Sequence, residues 1–447
     1  MLKNQEKDLQ DDLYRSKLKY LIDLKHQLIL LSQAINWEEF SKEFEKHYTK
    51  YYGRPAKSIR LMVSLLILKQ LFNESDETVV EQWRENPYWQ YFSGEEYFQW
   101  DLPCEHSELP KFRGRIGKKG VEKIFEVSIK LHGKEAMEKE VIPDTTVQEK
   151  NITFPTDTKL YLKVIEKCTK IGDQHSIKWR QSYSRTIKRL RFETRYVRIP
   201  SRAKQGRKAM KKIKTIAGRL FRELDRKLPK TAKEALQKEM SIMKRVLEQK
   251  RDSKNKVYSL HEPEVSCIAK GKEHKKYEFG SKVSVLITKT SGIIVGAVNF
   301  QGNPYDGNTL EATLEQSERL RGIKAERAIV DEGYRGKAKI LDTEILRVHQ
   351  PKKVKYSKRR WRQWFRRRAS VEAVISHLKR GHRLDRNYLS GTFGDDVNLL
   401  LSSAAFNFKK WLNKIDFILL KIKFDFFSIN FYFRFSKILN SGFFTVN

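Results

Sequence analysis

Ala325-Glu326-Arg327-Ala328-Ile329-Val330-Asp331 reads as a short buried strand that ends in an acid. Gly333-Tyr334-Arg335-Gly336 follows as a loop, and Ile345–Val348 makes another short strand. Just upstream, Thr309–Arg321 has the period of an amphipathic helix. Before it, Glu264–Ala269, Lys282–Thr288 and Gly292–Phe300 alternate or run apolar with β-branched residues, and Thr290-Ser291-Gly292 supplies a turn. Earlier still, Val141-Ile142-Pro143-Asp144-Thr145-Thr146-Val147 is a further short strand that carries an acid. Antiparallel strands followed by alternating helices and strands predict a mixed α/β domain around one sheet.

Downstream of Ile345–Val348 lies Lys352–Arg380, KKVKYSKRRWRQWFRRRASVEAVISHLKR. Its first half is basic without a single acid. Its second half predicts a helix over Trp364–Lys379 with one carboxylate, Glu372. Phe365, Arg368, Glu372 and Lys379 fall on one face of that helix. Glu372 therefore either balances surface cations or works with acids from elsewhere in the chain.

Asp144, Asp331 and Glu372 are the acids in question. Strand ends of an open sheet bring distant segments together, so the three meet if the sheet forms as read. Three gathered carboxylates repel one another unless a divalent metal joins them, and Mg²⁺ prefers such oxygen ligands. Paired metal ions then serve phosphoryl transfer. Three unrelated surface acids is the competing reading. The chain has no phosphate-binding Gly-Lys-Ser/Thr loop, no His-Glu-x-x-His and no Gly-x-Ser-x-Gly, and its histidines do not cluster.

Charge narrows the partner. Lys+Arg 91 against Asp+Glu 55 in 447 residues gives +36, which implies a polyanion. The cations are spread along the whole chain rather than confined to one amphipathic helix, which favours nucleic acid over a membrane surface. Three distant cysteines suggest neither a disulfide framework nor a zinc site. A polar N-terminus and the lack of a membrane-like window before residue 410 fit a cytoplasmic protein.

Residues 1–133 read as an all-helical domain. Ser58–Leu68 is strongly apolar, Ser75-Asp76-Glu77-Thr78 looks like a cap opening a second helix, and Pro87 ends or kinks it. Glu108–Arg115 opens a basic segment containing Arg113 and Arg115, candidates for DNA contact. The pattern suits a helix-turn-helix class unit or a plain packing domain. Residues 134–410 form the α/β domain, interrupted at about 174–256 by a basic helical insertion with long helices such as Thr231–Lys250. That insertion is either a solvated arm or a surface for nucleic-acid backbone. The tail, 411–447, is dense in Phe, Ile and Lys, and reads as a packed last element or as frame extension into AT-rich DNA.

These motifs together resemble the DDE transposases of bacterial insertion sequences, closest to the IS-five family in the IS-four-like group. The similarity covers roughly residues 40–410. It rests on Asp144-Thr145-Thr146, on Asp331 with Gly333-Tyr334-Arg335-Gly336, on the interval from Asp331 to Glu372, and on a last-helix signature. Arg368, Glu372 and Lys379 match the final three positions of that signature. The resemblance implies an RNase H-like catalytic domain, Mg²⁺ (or Mn²⁺) dependence, and cleavage and strand transfer at the element's own ends. It further implies that Asp144, Asp331 and Glu372 bind metal, while Arg368 and Lys379 contact DNA phosphates. Arg335 is a further candidate for DNA contact, and a homo-oligomer on double-stranded DNA is expected. Phe365 stands where the signature has Tyr, Glu332 where Lys is common, and Asn308 where His is expected. A decayed copy acting as a repressor, or a nuclease that cuts without joining, are the competing functions.

Overall fold

The computed structural model describes residues 15–49, 55–250, 252–269, 275–335, 338–347 and 356–415. Gly336 of the loop, Val348 at the end of the expected strand, the start of the basic run (352–355) and most of the tail (416–447) lie outside them.

Among the described residues eight strands form one sheet: β1 (Glu140–Lys150), β2 (Ser266–Ala269), β3 (Tyr277–Thr288), β4 (Ile294–Phe300), β5 (Arg327–Val330), β6 (Lys339–Ile340), β7 (Thr343–Arg347) and β8 (Arg386–Asn387). Their order is β2-β3-β1-β5-β7-β6, with β4 also on β3 and β8 on β1. β1 and β3 pair antiparallel, whereas β1–β5 and β5–β7 are parallel. The fold is thus α/β, a mixed RNase H-like sheet preceded by helices. Buried β-branched and apolar residues explain the central strands: Val141, Ile142, Val283, Val285, Ile287, Ala328, Ile329 and Val330 are all fully buried.

In the N-terminal region, Ile59–Leu71 is buried at every position except Arg60. Ser75 caps Asp76–Glu85 through a reciprocal capping box with Thr78. Pro87 stands in the first turn of the next helix, Pro87–Phe92, where its missing N–H costs nothing. The long helix Glu108–Lys130 bends at Gly117, whose φ of 63° leaves the helical region. One continuous hydrophobic core joins these helices to the sheet and to the last helix, residues 391–415.

The interruption between β1 and β2 packs differently. Asp157–Gln174, Ala203–Lys227 and Gln237–Glu248 surround a second core of their own, with Ile213, Leu224, Met243 and Val246 fully buried. Thr231–Lys250 is two helices, Lys230–Ala235 and Gln237–Glu248, with Leu236 between them.

The helix expected over Trp364–Lys379 is also two: Lys358–Arg368 and Ser370–Gly381, meeting at Ala369. Charge favours that break. Arg366, Arg367 and Arg368 sit at the negative end of one helix, and Glu372 sits in the first turn of the other.

Candidate active site

The register of the sheet places the two aspartates. β1 and β5 are parallel, with Val141 opposite Ala328, and Asp144 and Asp331 each lie three residues further on. They are therefore level on neighbouring strands. Asp331 is the first residue beyond β5, where the backbone turns and its Oδ1 accepts the Gly333 N–H at 2.9 Å.

Glu372 reaches the same place from the Ser370–Gly381 helix. The three carboxylates converge on Arg368: its Nη2 lies 3.1 Å from Asp331 Oδ2 and 4.0 Å from Asp144 Oδ1, and its Nη1 lies 3.8 Å from Glu372 Oε1. Arg368 is mostly buried, and its Nε has no hydrogen-bond partner. Glu372 is the exposed member, at 68%. One guanidinium between three carboxylates leaves the cluster net negative. The oxygen-only donor set suits Mg²⁺, and the guanidinium holds the place a cation would take. Among the described residues no three His, Cys, Asp or Glu groups are close enough to hold a metal as they stand. The residues fit the ion only if Arg368 moves aside.

A cleft of about 980 Å³ opens beside this cluster, lined by Asp144, Glu372, Lys379, Arg383 and Tyr388 among others. Lys379 thus shares the cleft with two of the acids. Arg383 stacks over the Tyr388 ring at 5.4 Å, and Tyr388 is well exposed. No local pattern marks these last two.

The other expected DNA contacts diverge. Arg335 is exposed, with its backbone N–H held by Tyr305 Oη at 2.6 Å. Arg115 is exposed and lies over Tyr48. Arg113 does not fit its expectation. It is 3% exposed, and both ends of its fork bind Asp76, at 2.8 and 2.7 Å. Lys69 binds the same carboxylate at 2.7 Å. Burial opposes charge on Asp76, yet the hydrogen bond from Arg113 and the charge of Lys69 hold its pKa at about 2. Burial outweighs Asp76 at Lys69, whose pKa falls to about 8. Arg113 ties helices together, and its burial keeps it from any base edge. Phe365 likewise faces inward, edge-on to Trp361 at 5.0 Å.

One acid of the site was not singled out by its sequence. Asp306 opens the helix Asp306–Arg321, accepts from Thr145 Oγ1 at 2.7 Å, and pairs with Lys282 at 2.5 Å. Its neighbour Asn308 drew attention only as a departure from a pattern.

Comparison with known proteins fits this geometry. A family model described as a transposase domain (DUF772) matches residues 16–115, and one described as a transposase DDE domain matches residues 246–408. Asp331, Arg368, Glu372 and Lys379 fall in the second range, and Asp144 lies between the two. A protein from Rhizobium meliloti, described as uncharacterized protein ORF8 in the nfe locus, is 40% identical over 191 residues, 41% of this chain and 91% of that protein. No solved structure matches. Both ends of the chain, and the loop and helix that bring Asp331 and Glu372 to one guanidinium, lead to the same assignment: the chain belongs to the insertion-sequence DDE transposases.

Proposed function

We propose that the protein binds the ends of its own insertion sequence and carries out metal-dependent cleavage and strand transfer there, as a member of the IS-five family. The observation that carries this reading is the convergence of Asp144, Asp331 and Glu372 on Arg368, beside a cleft lined with cations. We assign these three carboxylates as the metal ligands. Mg²⁺ (or Mn²⁺) bound there would stabilise the charge that develops on the attacking and leaving oxygens. Arg368 balances the acids when no metal is bound, and turns to a DNA phosphate when their charge is met otherwise. Lys379 holds backbone along the cleft, with Arg335 and Arg115 as outlying phosphate contacts.

In this reading residues 1–133 read the element's ends and 134–410 do the chemistry. The insertion at about 174–256 lends basic surface, and no function is assigned to 411–447. The protein works in the bacterial cytoplasm as a homo-oligomer, one copy for each end. Among the described residues no helix is long and apolar enough to cross a membrane.

The test is an end-sequence duplex incubated with the protein and Mg²⁺ beside a target plasmid. Nicking at the end and joining to the plasmid are expected, both lost with chelator. Binding with no cleavage under any divalent ion would mean a repressor, and cleavage with no joining a nuclease.

A further inference from the structure

The helix that bears Glu372 has a recess on each side. Glu372, Ser376 and Lys379 line the cleft described above, while Ser370, Ala373 and His377 line a separate cavity of about 380 Å³. Counted at about 100° per residue, the two groups lie roughly 130° apart around the helix. The turn between β3 and β4 (Thr290, Ser291, Gly292) bounds the cavity on another side, and Lys409 and Lys410 of the last helix bound it on a third.

Its lining carries one sign of charge. Arg367, Lys409 and Lys410 contribute to it together with His377 and His382, and no acid among the described residues does. Lys410 Nζ stands at the cavity wall, 3.5 Å from the point a Gly292 Cβ would occupy and 5.9 Å from the centre of the Phe406 ring. The acid whose charge bears on Lys410 is Glu135, which Lys414 already pairs with at 2.6 Å. Burial lowers the Lys410 pKa more than Glu135 raises it, so this ammonium is only partly compensated. Among the described residues Arg367, Lys409 and Lys410 form no ion pair. A cavity walled by uncompensated cations fits an anion.

We propose that this cavity holds a backbone phosphate of the target duplex, with Arg367, Lys409 and Lys410 as its cations. This rests on the strand-transfer reading above. The chain itself is a poor occupant: it is +36 overall, and residues 416–447 carry Lys421, Lys423, Arg434 and Lys437 against Asp416 and Asp425. Cations and the hydroxyls of Thr290 and Ser291 suit phosphate oxygens, which hold a duplex without reading its sequence. The strand to be cut lies with the acids in the cleft. The body of the helix, about 10–12 Å across with its side chains, stands between that strand and the cavity. Strand transfer needs a second backbone held at the same time as the first, and the far side of the Glu372 helix offers the charge to hold it.

The test uses the full chain with Mg²⁺ at about 0.1 M salt. Nicking is measured on an intact end-sequence duplex, and joining on a pre-nicked one over a range of target plasmid concentrations. Wild type is compared with Arg367→Gln/Lys409→Gln and with the charge-keeping pair Arg367→Lys/Lys409→Arg, and melting is measured for all three. Both side chains are exposed, so the Gln pair should melt and nick as wild type does. Its half-saturating plasmid concentration should rise about tenfold or more, because each lost phosphate contact gives up the release of a counterion. The charge-keeping pair should join as wild type does. A Gln pair that joins at the wild-type plasmid concentration overturns the proposal and leaves the strand-transfer reading intact. Nicking lost in step with joining would assign the cavity to the element's own end, and a lower melting point would mark the two cations as structural; either result overturns the proposal. So does failure of the charge-keeping pair. If wild type joins under no divalent ion, the strand-transfer reading falls, and the proposal with it.

Discussion

Helix Ile59–Leu71 is buried around nearly its whole circumference, whereas Ala203–Lys227 buries one stripe and gives the rest to solvent. The first belongs to the N-terminal region and shares its core with the sheet; the second belongs to the insertion, which has a core of its own. Polar contacts repeat the contrast. Glu122 accepts both ends of Arg319 at 2.8 Å and Gln316 at 2.8 Å. Gln70 Nε2 donates to His382 O, directly after the helix that bears Glu372, and to Asn398 Oδ1 and Ser402 Oγ on the last helix, all buried. The N-terminal helices are therefore part of the frame that positions the site. The insertion leaves at the end of β1 and returns at β2, which flank β3 at Gly280. At about 4.8 Å per strand, exit and return are about 10 Å apart.

The largest expected effect follows from that difference. A chain starting at Lys134 should fail to fold, because it uncovers the shared core, while a chain with residues 157–262 replaced by a short linker should fold and melt cooperatively. Circular dichroism on both decides it. A folded Lys134 fragment would show that the shared core is dispensable.

Within the N-terminal helices, Asp76→Asn should cost about 3–5 kcal/mol in urea unfolding, since it leaves Lys69 and Arg113 buried without their anion. The pH dependence has a definite sign. The carboxyl sits at about 2 against an ordinary 3.8, so its stabilisation is complete above about pH 4 and lost as pH falls towards 2. The Asn variant should lack that part of the acid transition.

A smaller effect belongs to the seam between the frame and the helix that bears Glu372. Gln70→Leu should cost about 1–3 kcal/mol, from buried acceptors left unmatched. It should also lower cleavage more than DNA binding, because His382 and Arg383, whose guanidinium reaches Asn73 O at 2.8 Å, anchor the end of the Glu372 helix. Equal losses in cleavage and binding would mean that the seam only stabilises the fold.

Much of this frame was legible in the sequence. β-branched runs gave the strands, and Ser75 gave a cap, because those signals act within a few residues of each other. Asp331 and Glu372 stood out because one ends a strand and the other is a lone acid in a basic helix. Arg113 misled because a basic segment does not reveal burial, and its partner Asp76 lies a helix away. Asp306 stayed hidden for a related reason. It matters only once the loops after β4 and β5 fold against each other, and local patterning carries no trace of that. Nor did it foretell that Arg368 would sit among all three acids, which depends on the register of β1 against β5.

The central claim is that these three acids make one metal-dependent cleavage centre. The direct measurement is Mg²⁺-dependent nicking of an end-sequence duplex by wild type, Asp144→Asn, Asp331→Asn and Glu372→Gln, with duplex binding measured in the same samples at one salt concentration. Each variant should lose cleavage by about a thousandfold or more, a transition-state loss of about 4 kcal/mol, and keep wild-type binding within a few-fold. Cleavage that survives in any one of the three, or binding lost in step with it, would contradict the account.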